Sequence, residues 1–302
     1  MGAQLRVFRR RIRSVQATKK ITKAMELIAS SRIVKAQQRL EASTPYLIQL
    51  TQAVSAAASH ATDIGNHPLV RAPEVRDRAA VLVVTADRGL AGAYSANAIR
   101  EAAALTRLLN EQGLDVTPFV VGRKGVAWYR FRGIAMGGQY TGFTDQPSYA
   151  DARKIGDDLL QAFLTPESEG GIDEIHVVYT HFVNMAVQQV RVRRILPLEI
   201  VDEVVETKSG ESLPFPLYEF EPGADTVLDA LLPRYIDHAV YTALLMSAAS
   251  EHAARRRAMK SATDNAEDLI RSLTRQANAA RQAEITQEIS EIVGGADALA
   301  SA

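Results

Sequence analysis

Cysteine is absent from the 302 residues, and aromatic residues make up only 6% of them. The absence of cysteine excludes disulfides, thiolate metal ligands, cysteine nucleophiles and thiol-based regulation. Few aromatic residues and abundant alanine favour closely packed helices over one thick core. The longest apolar runs, such as 79–84, are well short of the roughly 20 residues that span a bilayer. The sequence therefore predicts no membrane span.

The chain has little net charge, because it contains 35 Lys or Arg and 35 Asp or Glu. An excess of one sign occurs only locally. The first 39 residues carry eleven Lys or Arg and a single acidic residue, Glu26. This segment is typical of a solvated helix face, a nucleic-acid arm or a surface matched to an acidic protein. A solvated face is the commonest of the three. The nucleic-acid arm is disfavoured, because Phe8 is the only aromatic residue of the segment and no nucleic-acid-binding motif is present.

Proline and glycine are missing from two long stretches, between Gly2 and Pro45 and between Pro233 and Gly294. Helices over 3–44 and 234–293 would be about 60 Å and 90 Å long at 1.5 Å per residue. Because isolated helices are marginally stable in water, the two are expected to pack as an antiparallel pair. We expect the first to continue past Pro45, with a kink, to about His60.

Apolar residues at steps of three and four predict the contacting face of each long helix. The first helix shows two such runs separated by a slip in phase: Leu5, Phe8, Ile12 and Val15, then Ile21, Met25 and Ile28. The second also shows two: Leu269, Leu273, Ala277 and Ala280, then Ile285, Ile289 and Ile292. The sequence therefore predicts an irregular coiled coil with a narrow seam.

The middle of the chain alternates strand-like and helix-like segments. Strands are predicted over 79–85, 116–122, 139–143, 175–179 and 188–195, and helices over 95–111, 124–132 and 149–163. This alternation predicts a Rossmann-like α/β domain with a mostly parallel sheet. Residues 198–223 contain three prolines and predict a linker with one short edge strand.

The predicted fold class is α/β, with a long antiparallel coiled coil of the N- and C-terminal helices and a central α/β domain. The expected boundaries are 1–62 for the N-terminal helix, 75–222 for the α/β domain and 224–302 for the C-terminal helix.

The turn at 87–92 follows a strand and precedes a helix, where phosphate-binding loops occur. It lacks the Lys and Ser or Thr of a Walker motif and the third glycine of a dinucleotide fingerprint. Glycines that close a tight turn are the favoured interpretation. A nucleotide-binding α/β enzyme with helical oligomerisation arms is the alternative, and no catalytic, cofactor or metal-binding residues are predicted.

Five segments of the sequence carry a resemblance to a known protein family. They are residues 14–27 (SVQATKKITKAMEL), 84–92 (VTADRGLAG), 122–125 (GRKG), 258–266 (AMKSATDNA) and 285–296 (ITQEISEIVGGA). These segments resemble the γ subunit of F-type ATP synthases. Because they recur from Ser14 to Ala296, the resemblance extends over nearly the whole chain.

The resemblance implies a non-catalytic rotor that couples proton-driven rotation to conformational change in the catalytic β subunits. The implied partners are the α and β subunits of the catalytic ring, the ε subunit and the membrane c-ring, with one copy of this chain per complex. The absence of a presequence favours a bacterial assembly, with the chain peripheral on the cytoplasmic side of the cell inner membrane. No cofactor, nucleic acid or membrane span is implied.

The resemblance also implies five partner-contact residues. Met25 matches a position that faces β, and Arg255, Gln282, Thr286 and Glu288 match positions that bond or pack near β. Ordinary seam packing for Met25 and a solvated charge for Arg255 are alternatives. The acidic stretch 164–173 is longer than the family's usual connection, and we hypothesise that it contacts the membrane ring or a regulatory neighbour.

Overall fold

A computed structural model describes residues 2–61, 64–71, 76–198, 220–221 and 223–300. The helices are α1 (Gly2–His60), α2 (Tyr94–Glu111), α3 (Arg123–Phe131), α4 (Tyr149–Leu164) and α5 (Ala224–Ala300). The strands are β1 (Arg78–Val84), β2 (Asp115–Val121), β3 (Gly138–Tyr140), β4 (Glu174–Phe182) and β5 (Gln188–Leu196). The chain divides into two compact units, one formed by residues 1–30 and 255–302 and the other by residues 31–254.

The described strands form one five-stranded sheet in the order β3-β2-β1-β4-β5. The pairs β1–β2, β2–β3 and β1–β4 are parallel, and β5 runs antiparallel to β4. The predicted mostly parallel sheet is therefore confirmed. Strand order reverses at β1, so the carboxyl ends of β1 and β4 form the switch point where α/β enzymes bind their ligands.

Alternate residues of β1 point into two cores on opposite faces of the sheet, because side-chain direction in a strand has a period of two. Ala79, Val81 and Val83 pack with α2 and α3. Ala80, Leu82 and Val84 pack with α4 and with the first part of α5. The sheet-bearing unit is thus a three-layer structure.

Both long helices contain a proline, Pro45 in α1 and Pro233 in α5. The predicted continuation of the first helix to His60 is confirmed. The second helix, Ala224–Ala300, extends beyond the proline- and glycine-free stretch 234–293 and includes Gly294, and it begins where the C-terminal segment 224–302 was expected to begin. Packing of its first part against the sheet outweighs the hydrogen bond lost at Pro233.

The predicted strand over 139–143 is shorter than expected and ends at Tyr140. Gly142 has a positive φ of 103°, and its N–H donates to the Asp87 carboxylate at 2.7 Å, so the chain leaves the sheet there. The connection after α4 is folded by hydrogen bonds from Glu169 and Gly171 to the Pro166 carbonyl, at 2.9 and 3.1 Å. The predicted linker and edge strand fall largely on 199–219 and 222, which lie outside the described residues.

Candidate partner-contact surface

The helix pair of the smaller unit has a seam that keeps one phase along α1. Its positions recur every three or four residues, as in a regular heptad pattern. Thr22 and Ala29 are buried, at 8% and 1% exposure, and the other members are half-buried. The seam of α1 in this unit comprises Leu5, Phe8, Ile12, Val15, Lys19, Thr22, Glu26 and Ala29.

The facing seam of α5 follows the same spacing. Its most buried members are Met259, Thr263, Ala266, Leu273 and Ala277. The Thr22 and Thr263 hydroxyls are 2.7 Å apart across the seam. Lys19 Nζ lies 3.0 Å from Glu267 Oε2, and this hydrogen bond lowers the pKa of the Glu267 carboxyl. Residue numbers rise along one helix as they fall along the other, so the predicted antiparallel pair is confirmed.

The slip in phase predicted after Val15 is wrong. Ile21 and Ile28 are 60% and 54% exposed, and Leu269, placed in the seam of the second helix, is 48% exposed. The seam continues through Lys19, Thr22 and Glu26, whose stems and hydroxyls pack between the helices. A search for apolar residues misses these positions, whereas continuing the three-and-four spacing from Val15 would have found them.

Replacing both seam threonines by valine, Thr22→Val with Thr263→Val, is expected to stabilise the helix pair by about 1 kcal/mol. Valine has the shape of threonine without a hydroxyl to desolvate, and polar seam residues lower stability while fixing register. Helix content followed by circular dichroism during urea unfolding measures the change. Thr18→Val, at an exposed position, is the matched control, and a loss of stability in the double variant would contradict the prediction.

Ile21, Met25 and Ile28 form an outer stripe on α1, because steps of four and three place them on one face. Met25 is half-buried at the centre of this stripe. Exposed Lys20 and Lys23 flank it. An exposed apolar row with basic neighbours is suited to a protein partner that has an apolar groove and acidic edges.

The end of α5 carries a second apolar row, the C-terminal stripe, made of Ile285, Ile289 and Ile292. Their exposed fractions are 45%, 56% and 71%. Because Thr22 lies opposite Thr263 and the helices are antiparallel, Gly2 at the start of α1 lies opposite about residue 283 of α5. The three isoleucines come after residue 283, so they extend beyond the start of α1. Three of the predicted contact residues, Gln282, Thr286 and Glu288, are exposed along this part of the helix.

Arg255 differs from the other predicted contact residues because it is only 7% exposed. The alternative of a solvated charge at this position is therefore wrong. The flanking Arg257 is exposed, and Arg256 is half-buried. Gln282, Thr286 and Glu288 lie together near the end of α5. Met25 lies on the other helix, α1. Arg255 is the residue at which α5 enters the smaller unit.

The turn at 87–92, which carried the alternative of a nucleotide site, is filled by its own Asp87 carboxylate. Oδ1 accepts the Arg123 N–H at 3.0 Å, and Oδ2 accepts the N–H groups of Gly142 and Thr144 at 2.7 and 3.1 Å. These donors follow β2 and β3, at the edge of the sheet where a phosphate would bind. An internal carboxylate thus takes the place of a ligand anion.

The switch point between β1 and β4 is covered by α5. The Ser250 hydroxyl donates to the Thr180 carbonyl at 3.0 Å, and the Thr180 N–H donates to the Ser247 hydroxyl at 3.2 Å. Ala254 packs against the buried cluster of Ala86, Ala91 and Tyr94, which follows the end of β1. Helix side chains therefore occupy the crevice that an α/β enzyme would offer to its ligand.

Within the described ranges, no group of three or more His, Cys, Asp or Glu is placed to hold a metal ion. No described helix is long and apolar enough to cross a bilayer.

Comparison with known proteins decides the family. The family model described as ATP synthase matches residues 4–299. The ATP synthase gamma chain of Acidothermus cellulolyticus is 62% identical over 299 residues, which is 99% of this chain and 98% of the relative. The gamma chain of Kineococcus radiotolerans is 60% identical over 301 residues, 100% of this chain and 98% of the relative. This chain belongs to the ATP synthase γ chain family.

Solved structures agree with this family at the level of fold. A chain of the Euglena gracilis mitochondrial ATP synthase, OSCP/F1/c-ring, has a TM-score of 0.67 at 17% identity, covering 99% of this chain and 95% of that chain. A chain of the Tetrahymena thermophila mitochondrial ATP synthase central stalk and c-ring has a TM-score of 0.58 at 22% identity, covering 80% of this chain and 99% of that chain. This chain therefore shares the fold of these ATP synthase chains, with long N- and C-terminal helices and a mostly parallel α/β sheet.

Proposed function

We propose that this chain is the central rotor subunit of an F-type, proton-translocating ATP synthase and performs no bond chemistry itself. The observation that carries the proposal is the full-length match to ATP synthase gamma chains. Two features disfavour the alternative of a nucleotide-binding enzyme. The Asp87 carboxylate occupies the turn where a phosphate would bind, and α5 covers the ends of β1 and β4 where the rest of the ligand would lie.

The helix pair is the part of the chain that would contact the catalytic ring of α and β subunits. The outer stripe and the C-terminal stripe differ in position and in flanking charge, so the pair presents a different surface in each direction. Met25, Gln282, Thr286 and Glu288 lie in or beside these stripes and are the proposed contacts with β. Arg255 is proposed to act from a buried position, by fixing the shape of α5 near β.

An asymmetric helix pair would act as a mechanical ligand. Each catalytic subunit would meet a different face of the pair, and the face that binds best would shift that subunit between conformations. Rotation of the chain would then pass each subunit through the same series of states. Proton transfer through the c-ring would drive the rotation, with roughly 2.3 kcal/mol available for each charge per 100 mV.

The remaining contacts follow from the same assignment. The c-ring and the ε subunit are proposed partners, with one copy of this chain per complex. The chain would be peripheral, on the cytoplasmic side of the cell inner membrane. The folded connection at 164–173 is a candidate contact for the membrane ring or a regulatory neighbour, and its deletion without effect on coupling or hydrolysis would contradict that role.

Co-expression of this chain with its cognate α and β subunits tests the proposal. We expect a purified complex with one copy of the chain per three α and three β, and ATP hydrolysis that depends on the chain. ATP hydrolysis by the chain alone, or failure to associate, would instead support the nucleotide-binding alternative.

Polar replacement of the outer stripe, Ile21→Gln with Ile28→Gln, is expected to weaken assembly with α and β at least tenfold. Each isoleucine side chain would no longer be buried against the partner. Burying such a side chain contributes about 1.5–3 kcal/mol to the free energy of association. The stability of the free chain should change by less than about 0.5 kcal/mol per site, since both positions are exposed.

Titration of ring assembly, read from chain-dependent ATPase activity, measures the effect. Leu108→Gln on α2, a similarly exposed leucine at 50%, is the matched control. Wild-type assembly by the double variant would show that the outer stripe does not contact the ring.

A further inference from the structure

The loop that connects β3 to α4, residues 141–148, contacts both long helices through Asp145. The Asp145 carboxylate forms an ion pair with the Arg32 guanidinium of α1. The Asp145 carbonyl oxygen lies 3.0 Å from His252 Nε2 of α5, and because a carbonyl only accepts, the ring N–H donates. Two groups of one residue thus join α1 and α5 to the same loop.

Thr144 joins this loop to α5 and to the end of β1. Its hydroxyl donates to Glu251 Oε2 at 3.2 Å and accepts the Asp87 N–H at 2.9 Å. Its own N–H donates to Asp87 Oδ2 at 3.1 Å. Thr144 and Glu251 are buried, so these hydrogen bonds form away from water, where they are stronger. A continuous chain of hydrogen bonds therefore runs from the sheet, through the loop, to α5.

The loop contacts each long helix close to a boundary of the sheet-bearing unit, which comprises residues 31–254. Arg32 is the second residue of this unit in α1, and His252 is the third residue from its end in α5. Both helices continue beyond these positions. A twist of the sheet would therefore reach each helix just before that helix leaves the unit.

Apolar contacts adjoin these polar contacts along both helices. Ile33 and Ala36 of α1 pack in one cluster with Phe182 of β4 and with Ala249 and Ala253 of α5. Apolar packing has no preferred direction, so small side chains can slide past one another. Ion pairs and hydrogen bonds restrict both distance and angle, so they resist a twist that apolar packing would permit.

We propose that Arg32 and Asp145 form a clamp that fixes α1 to the sheet-bearing unit, so that both long helices turn with the sheet. α5 is held to the sheet and the loop by hydrogen bonds of Ser247, Ser250 and Glu251, and for α1 the ion pair supplies the directional contact. The clamp rests on the proposed rotor function, because it matters only where the chain transmits torque. Arg32 and Asp145 are positioning residues, which act through the stiffness of the link between sheet and helices.

Arg32→Gln is expected to increase the variance of the rotor's angular fluctuations about twofold. Two helices that carry a twist side by side share the stiffness, so releasing one leaves about half of it, and the variance is inversely proportional to stiffness. A bead attached through Phe131→Cys, an exposed position in the sheet-bearing unit, reports the angle. The ring of α and β subunits would be fixed to a surface and held in one state by a non-hydrolysable ATP analogue. Asp145→Asn should have the same effect, and the double variant should add little more, because both changes remove one contact.

Arg32→Lys keeps the charge and should keep most of the stiffness, whereas Arg153→Gln, which breaks an exposed ion pair within α4, is the matched control and should leave the variance unchanged. Urea unfolding should show nearly wild-type stability for each variant, because the clamp residues are partly exposed. Unchanged variance in Arg32→Gln and Asp145→Asn, with rotation of the wild type in ATP, would overturn the clamp and leave the rotor function standing. A wild-type chain that fails to assemble or rotate would overturn both. An equal rise in Arg153→Gln would show a general loosening of the unit and would overturn the clamp.

Discussion

Asp87→Ala is expected to destabilise the sheet-bearing unit by about 3 kcal/mol or more. The Asp87 side chain is 5% exposed, and its two oxygens accept three backbone N–H groups, from Arg123, Gly142 and Thr144. Hydrogen bonds to a charged group contribute about 1.5–3 kcal/mol each, and the donors left unpaired add a desolvation penalty. Loss of this carboxylate would separate the carboxyl ends of β1, β2 and β3.

Asp87→Asn should recover only part of the loss. One oxygen of the pair becomes an NH2 group, which cannot accept a hydrogen bond from a backbone N–H. The single tryptophan, Trp128 in α3, reports unfolding of this region by fluorescence in urea. Asp268→Ala, whose side chain is 78% exposed, is the control and should change stability by less than about 0.5 kcal/mol. Equal stability of Asp87→Ala and wild type would show that the carboxylate does not hold the turn.

Asp237→Asn is expected to stabilise the chain by about 1–3 kcal/mol at pH 8 and by much less at pH 4. Burial, with the nearby Asp157 charge, raises the pKa of Asp237 from 3.8 to about 6. The folded state therefore binds this proton more tightly than the unfolded state. Its contribution to stability is fully present below pH 4 and is lost as the pH rises to about 6. The full difference between the two pKa values corresponds to about 3 kcal/mol.

The same urea titration at pH 4 and pH 8 measures this effect. Asn keeps the size of Asp and removes the charge, so the gain should appear only where Asp237 is ionised. Asp268→Asn is the control, because that exposed residue carries the same charge. A gain of equal size at both pH values would show that shape or hydrogen bonding, and not charge, is responsible.

The sequence predicted the α/β layers well because local and tertiary preferences coincide there. The run at 79–84 is apolar on both sides, as a strand buried on both faces requires, and Gly113 and Gly133 follow α2 and α3 with positive φ. The end of β3 was misplaced because it depends on Asp87, which is more than fifty residues away in sequence. Such a contact leaves no local pattern.

The helix seam was predicted less well because its middle is polar. Thr22 and Lys19 face the partner helix, while the more apolar Ile21 and Ile28 point outward. Binary patterning assumes that apolar residues turn inward, and a surface kept for another protein breaks that assumption. The outward position of Met25's stripe agrees with a partner contact, though its assignment to β, like those of Gln282, Thr286 and Glu288, stays a prediction. No pattern in the sequence distinguished Asp237.

Rotation of single molecules tests the rotor assignment most directly. Because the chain lacks cysteine, Phe131→Cys, at a position that is 86% exposed, gives one attachment point for a bead. The complex with α and β would be fixed to a surface through the ring and supplied with ATP. The account predicts continued rotation of the bead in one direction. A bead that stays still while the same complexes hydrolyse ATP would contradict it.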